Sequence, residues 1–209
     1  MFLGIKLNFC LKNISHIEEE DHSIMKNTKA YVTAFCGVCV AMNLVLGIIT
    51  AALGIPLYLD TLGTVLTAVL FGPVPGMIVG ALSNIIHGLI YSVTDIPFAL
   101  VNMAVGLVVG LVAKKFKFTL VTALVTGLAL SVICPAIGTP IGIFVYGGLA
   151  GNVLDVVITG LVKAGQNIFA AGFITKVGSN LIDKVGTCLV AYFLLKAMPA
   201  RFLSMFKGE

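Results

Sequence analysis

The chain has 209 residues, of which 59% are hydrophobic and only 11% charged, and its mean hydropathy is +1.10. Soluble domains carry about 25% charged residues, so an ordinary water-soluble globule is excluded and an all-α integral membrane protein of one compact unit is expected. The net charge of +4 gives no ground for a nucleic-acid partner, and it informs only through where the charges fall.

Residues 1–24, MFLGIKLNFCLKNISHIEEEDHSI, are mixed and charged and lack the small-residue cleavage site of a signal peptide. Glu18-Glu19-Glu20 is what a translated purine-rich ribosome-binding site would give. Met25 is therefore expected to be the physiological start, with a cytoplasmic tail as the alternative, and 25–209 to be a single membrane domain. Candidate apolar runs follow at 30–51, 58–72, 75–92, 97–113, 119–137, 153–175 and 185–198. Gly and Pro punctuate them, at Gly54-Ile-Pro56, Gly72-Pro73-Val-Pro75-Gly76, Asp95-Ile-Pro97, Cys134-Pro135 and Gly138-Thr-Pro140. The run 58–72 is short for a span of ~20 residues and is expected to form a tight hairpin with the next.

Lys26 and Lys29 precede the first run, Lys114, Lys115 and Lys117 lie between the fourth and fifth, and Lys196, Arg201 and Lys207 follow the last. The positive-inside rule places all three groups in the cytoplasm, so the number of crossings is even. The segment 153–175 carries Asp155, Lys163, Gln166 and Asn167 and is the most polar of the seven. It is expected not to cross but to lie over the outer face as a lid, leaving six transmembrane helices. The alternative has 58–72 re-entrant and 153–175 crossing.

In this topology several polar residues share the outer half of the membrane. They are Asn43 on helix 1, Asp60 and Thr61 at the start of helix 2, Asn84, His87 and Tyr91 on helix 3, Asn102 on helix 4, and Asp183 with Lys184 opening the last helix. Asn84, His87 and Tyr91 are spaced i, i+3, i+7 and share one helix face. Polar side chains in a bilayer are costly and face a bundle interior or a wet cavity, although a single one can be glue between helices. Their agreement in depth predicts a polar cavity open to the outside above an apolar plug, holding a small solute. Asp60 either contacts that solute or caps helix 2. Gln166 or Asn167 is expected to reach the solute from the lid.

Ala30, Ala34, Gly37 and Ala41 form a small-residue stripe on helix 1, suited to close approach of another helix within or outside the chain. The cysteines read as small hydrophobes, and Cys36-Gly-Val-Cys39 has no partner pair at metal-site spacing. No phosphate loop, H-E-x-x-H or G-x-S-x-G occurs. No enzyme activity, cofactor or metal is therefore expected.

Residues 27–205 resemble the substrate-binding S components of energy-coupling factor (ECF) transporters. Ala30-xxx-Ala34 resembles the AxxxA signature of their helix 1. LYLDTLGTVLTAVLFGPVPGMIVGALSNII resembles their helix 2–3 hairpin, and LIDKVGTCLVAYFLLKAMPARF their last helix. The segment 153–175 has no firm counterpart. The resemblance implies a six-helix bundle in a prokaryotic plasma membrane with both termini cytoplasmic. It also implies capture of a vitamin, vitamin precursor or nucleobase-like nutrient from outside, and ATP-driven import with a T subunit and two ATPase subunits. The alanine stripe would then dock onto the T subunit. A stand-alone secondary transporter would need an ion path through both halves and usually an internal repeat, neither of which is visible. A membrane sensor or assembly subunit is the other alternative, and co-purification with T and ATPase subunits separates them.

Overall fold

The computed structural model describes residues 29–55, 57–151 and 153–199. The expectations about residues 1–24, Met25, Lys26, Arg201 and Lys207 lie outside the described residues. The described chain is helical throughout, with no strand. It runs α1 (Lys29–Ala52), α2 (Leu62–Phe71), α3 (Pro73–Ile90), a 3-10 turn (Val93–Phe98), α4 (Ala99–Lys115), α5 (Leu120–Tyr146), α6 (Leu154–Lys163) and α7 (Ile168–Ala197). Cys36–Ala197 form one compact unit. Of the other unit the described residues are Lys29–Phe35, the first turns of α1, with Met198 and Pro199. In it, the Thr33 hydroxyl donates to the Lys29 carbonyl at 2.9 Å.

Four stretches are long and apolar enough to cross a membrane: Lys29–Ala52, Pro73–Ile90, Val93–Lys115 and Leu120–Tyr146. The protein is a multi-pass membrane protein. α2 has only 10 residues, or about 15 Å of rise. It avoids lipid by position, since Gly63, Thr64, Val65, Leu66, Thr67 and Ala68 are all buried between α3, α4 and α7. α7 has 30 residues, enough for about 45 Å, but it carries Lys176, Asp183, Lys184 and Lys196.

Glycine sets how closely these helices approach. A Cβ on Gly106 of α4 would lie 2.4 Å from the Gly76 carbonyl carbon of α3. One on Gly80 would lie 2.5 Å from the Asn102 carbonyl oxygen, and one on Gly63 of α2 only 2.2 Å from the Cys39 oxygen of α1. These are backbone-to-backbone contacts of the kind small residues permit between membrane helices.

Three expectations about element boundaries need correction. Pro135 and Pro140 do not end the fifth helix, because α5 continues through both to Tyr146 and stops at Gly147 in a left-handed conformation. Membrane helices tolerate interior proline; the carbonyls that Pro135 and Pro140 leave without an N–H are those of Ser131 and Ala136, and between them the Lys176 ammonium donates to the Gly138 carbonyl at 3.2 Å. The polar segment 153–175 is not one piece. Leu154–Lys163 form the short α6, a turn follows with Gly165 at φ 95°, and 168–175 are the first two turns of α7. The last helix was expected to open at Asp183–Lys184. Both residues instead stand mid-helix and buried, because their charges face inward and pair with each other.

Gly106→Ala is expected to lower the thermal unfolding midpoint of the detergent-purified protein by the equivalent of about 1–3 kcal/mol, the cost of overpacking. Gly186→Ala, where a Cβ meets nothing within 4 Å, is expected to leave the midpoint unchanged or raise it. Equal responses would mean that the α3–α4 approach is not as close as described.

Candidate functional site: a polar cavity at one end of the bundle

A cavity of about 620 Å3 opens between the helices of the larger unit. Small-molecule sites run from about 300 to 1,000 Å3. Five of the longer helices each line it with one stretch: Asn43–Ala51 of α1, Ser83–His87 of α3, Val101 and Asn102 near the start of α4, Cys134–Tyr146 of α5 and Lys176–Lys184 of α7. Since α4 leaves the cavity for Lys114 and Lys115, and α5 returns from Leu120, the lysine-bearing connection lies at the opposite end.

The floor is a buried charge cluster. The Lys184 ammonium is 3% exposed and sits 2.7 Å from Asp183 Oδ2 and 3.6 Å from Asp60 Oδ1, and it donates to Thr61 Oγ1 at 3.0 Å. Asp183 Oδ1 accepts from the backbone N–H groups of Tyr58 at 3.2 Å and Leu59 at 2.8 Å. Leu59 has φ 45°, a left-handed conformation that a leucine rarely adopts. The Asp183 carboxylate holds the loop 57–61 in that shape. Asp60 Oδ2 accepts from Asn102 Nδ2 at 3.2 Å, and the same Asn102 amide donates to Asn84 Oδ1. Thr61 occupies the N-terminal boundary of α2 without a side-chain capping bond, and the Asp60 carboxylate is spent on Lys184 and Asn102. Of the two roles considered for Asp60, capping is not the one seen.

Asn43 lines the cavity, yet its amide is fully used. Nδ2 donates to Thr64 Oγ1 and Ser83 Oγ, both at 3.0 Å, and Oδ1 accepts from the Gly63 N–H at 2.7 Å. It clamps α1, α2 and α3 together.

One side of the cavity is built from rings. Phe98 stacks on Tyr146 with centroids 6.0 Å apart, and the Tyr146 hydroxyl donates to Asp95 Oδ1. Asp95 Oδ2 lies 3.3 Å from His87 Nδ1, and His87 stacks on Tyr91 at 4.9 Å. Tyr58 reaches the cavity from its loop, with the Lys184 ammonium 5.9 Å from its ring centroid. Loss of water around the Tyr58 phenol pushes it up to about 12 against the opposing pull of Lys184, so the group is a neutral hydrogen-bonding hydroxyl at any physiological pH. On the other side α6 brings Asp155 and the buried Ile158, and α7 brings Lys176 and Asn180.

Of the residues expected from the sequence, Asn43, Asp60, Asn84, His87, Asn102 and Lys184 all line this one cavity. Thr61 lies just beneath it, fully buried against Lys184. Tyr91 does not line it; it is 57% exposed and stacks on His87, which does. Gln166 and Asn167 do not line it. Both are exposed, and Asn167 Oδ1 instead accepts from the Ala170 N–H at 2.7 Å, capping the start of α7. The α6 end of the segment meets the cavity, and the amide end is a helix boundary.

Tyr58, Asp95, Tyr146, Asp155, Lys176 and Asn180 are cavity residues that the sequence reading passed over. Lys176, Asn180 and Lys184 recur at i, i+4, i+8, a legible single face that a helix opening at Asp183 hides. Ala30, Ala34, Gly37 and Ala41 are all exposed, and a Cβ on Gly37 would meet nothing within 4 Å. Among the described residues no group of three His, Cys, Asp or Glu side chains is placed to hold a metal ion.

A helical membrane bundle with a ring-walled polar cavity at one end has the form of a protein that binds a small solute within the thickness of the bilayer. Residues 27–200 match the family model of the ECF-type riboflavin transporter S component, and the chain belongs to that family of transport proteins. No curated protein and no solved structure gave a significant match.

Lys184→Met leaves Asp183 and Asp60 buried without their cation. It is expected to destabilise the protein by about 3–5 kcal/mol, the cost of breaking a buried pair, measured as a fall in the unfolding midpoint. Adding Asp183→Asn, which keeps an acceptor for Tyr58 and Leu59 while removing the charge, is expected to recover part of that loss. No loss in the single variant would show that the cluster does not hold the loop.

Proposed function

We propose that the protein captures riboflavin from outside the cell in the 620 Å3 cavity and releases it inward as the S component of an ECF transporter. The observation that carries this reading is the cavity itself. It combines stacking rings at Tyr58, Phe98 and Tyr146 with the amides of Asn84, Asn102 and Asn180 in one enclosure. A planar heterocycle bearing carbonyls, ring nitrogens and hydroxyls matches that mixture of faces and polar edges. The family named for riboflavin transport makes riboflavin the first solute to test.

In this reading six helices cross the membrane: α1, α2, α3, α4, α5 and α7. α6 lies along the outer mouth. Lys114, Lys115 and Lys117 at the end remote from the cavity support an outward-facing cavity and cytoplasmic termini, by the positive-inside rule. The cell is a prokaryote and the membrane its plasma membrane. Solute crosses only after the S component docks on a T subunit energised by two ATPase subunits. The exposed stripe Ala30, Ala34, Gly37 and Ala41 is the surface suited to that helix-on-helix contact. Among the residues first expected at the site, Asn84, His87, Asp60 and Asn102 contact the solute or orient the groups that do, while Lys184, Thr61 and Asn43 hold the walls. Tyr91 acts through His87. Gln166 and Asn167 serve the turn between α6 and α7.

Two variants separate binding from coupling. Asn84→Leu is expected to weaken riboflavin binding, followed by quenching of flavin fluorescence, roughly tenfold to a hundredfold, the worth of ~1–3 kcal/mol for a lost hydrogen bond to a buried polar solute. Unchanged affinity would move the solute elsewhere. Ala34→Leu is expected to abolish uptake in cells and co-purification with the T subunit while leaving solute binding intact. Joint loss of binding and uptake would make the stripe an internal packing surface.

A further inference from the structure

Among the described helices α6 is too short to cross a membrane and yet is not enclosed by its neighbours. Its 10 residues rise about 15 Å against a hydrocarbon core of ~30 Å. Gly151 at φ 77° before it and Gly165 at φ 95° after it turn the chain at both ends, so α6 neither extends α5 nor runs straight into α7. One side of it belongs to the cavity: Leu154 and Asp155 line the space, and Ile158 lines it at 2% exposure. On the other side Val156, Val157 and Gly160 share a face, and none of them lines the cavity. Val156 is 75% exposed and Val157 50%, and a Cβ on Gly160 would meet nothing within 4 Å.

This bare face is continuous with apolar surface on the helix that supports it. α6 packs against α7, whose first turns expose Ile168, Phe169 and Ile174. Leu181 and Ile182, both exposed, carry the face of Ile174 further along α7 at i+7 and i+8. From 156 to 175 the sequence holds one charge, Lys163, exposed at the last position of α6. Proteins seldom leave so broad an apolar surface to water. A basic residue at the margin of an apolar helix face suits a bilayer interface, where its stem stays with the acyl chains and its ammonium reaches the phosphates.

We propose that α6 is an interfacial helix whose partner is phospholipid. It lays Val156, Val157 and Gly160 into the boundary between headgroups and acyl chains on the cavity side of the membrane, with Lys163 at the phosphates. The cavity wall made by Leu154, Asp155 and Ile158 is then backed by lipid. That leaflet is the outer one on the topology proposed above; the contact with lipid does not depend on which solute binds.

The test reads depth and needs no solute. Val156→Cys, and Val132→Cys in the middle of α5 as a reference, are made in a background with the five native cysteines replaced. Each is labelled with an environment-sensitive fluorophore and reconstituted in phosphatidylcholine–phosphatidylglycerol nanodiscs. The Val156 label is expected to be quenched more by phosphatidylcholine spin-labelled near the headgroup than near the chain methyl, the Val132 label the reverse, and acrylamide to quench the Val156 label several-fold less than the same label on free cysteine. Acrylamide quenching equal to that of the free adduct would place the face in water. Shielding from acrylamide and from both lipids would mean that protein covers it, and stronger quenching from the chain methyl would put α6 in the hydrocarbon core. Each of these overturns the proposal. The unaltered chain gives a second reading: a phospholipid with a photoreactive group near its headgroup is expected to crosslink within 156–160, and crosslinks to α5 with none to α6 would equally overturn it.

Discussion

The buried contact among Lys184, Asp183 and Asp60 is the constraint on which the rest of the site depends. Three charges within a few ångströms of one another would be prohibitive singly in a bilayer. Together they become a joint between the long α7 and the loop that leads into the short α2. Asp183 spends one oxygen on the ammonium and the other on two backbone N–H groups of that loop. The loop therefore has a defined shape, including the left-handed Leu59. Asp60 is thereby presented to Asn102, and through Asn102 to Asn84. α7, α2, α4 and α3 are thus linked by one polar chain, and the cavity is the space left beside it.

The apolar half of the molecule serves that arrangement by a different means. Helices α3 and α4 approach through glycine on both sides, and α1 meets α2 across Gly63. The Gly76–Gly106 and Pro73–Gly110 contacts of α3 and α4 lie toward the end remote from the cavity, while Gly80 meets the Asn102 backbone and Gly63 the Cys39 backbone beside the cavity residues Asn102 and Asn43. Close approach therefore runs along the bundle, and small residues let the helices meet without side-chain volume between them.

Much of this was legible in the sequence, and what escaped has a common cause. Asn43, Asp60, Asn84, His87, Asn102 and Lys184 could be gathered to one depth because each interrupts an apolar run, and lipid makes such interruptions informative. The membrane class, helical content and family resemblance were legible for the same reason. The losses came at helix ends. The fifth run was bounded at 137, between Pro135 and Pro140, whereas α5 continues through both, and this hid Tyr146. Asp183 and Lys184 resembled a polar helix start, because nothing in one sequence says that two adjacent charges neutralise each other inside a bundle. Starting the last helix there broke the face shared by Lys176, Asn180 and Lys184, and it turned the amides of Gln166 and Asn167 into site candidates. Asp95 and Asp155 were read as boundary and lid residues. Their convergence on one cavity depends on long-range packing that spacing along the chain does not encode.

The chain contains no tryptophan and five tyrosines. Tyr58 and Tyr146 line the cavity, and Tyr91 stacks on a residue that does. Its near-ultraviolet emission therefore comes from phenols, most of them gathered around the place where a solute would sit. A bound aromatic heterocycle that absorbs in that emission range would draw excitation energy from them over a few ångströms. The protein thus carries its own optical reporter of occupancy, with no label attached and no indole background to subtract.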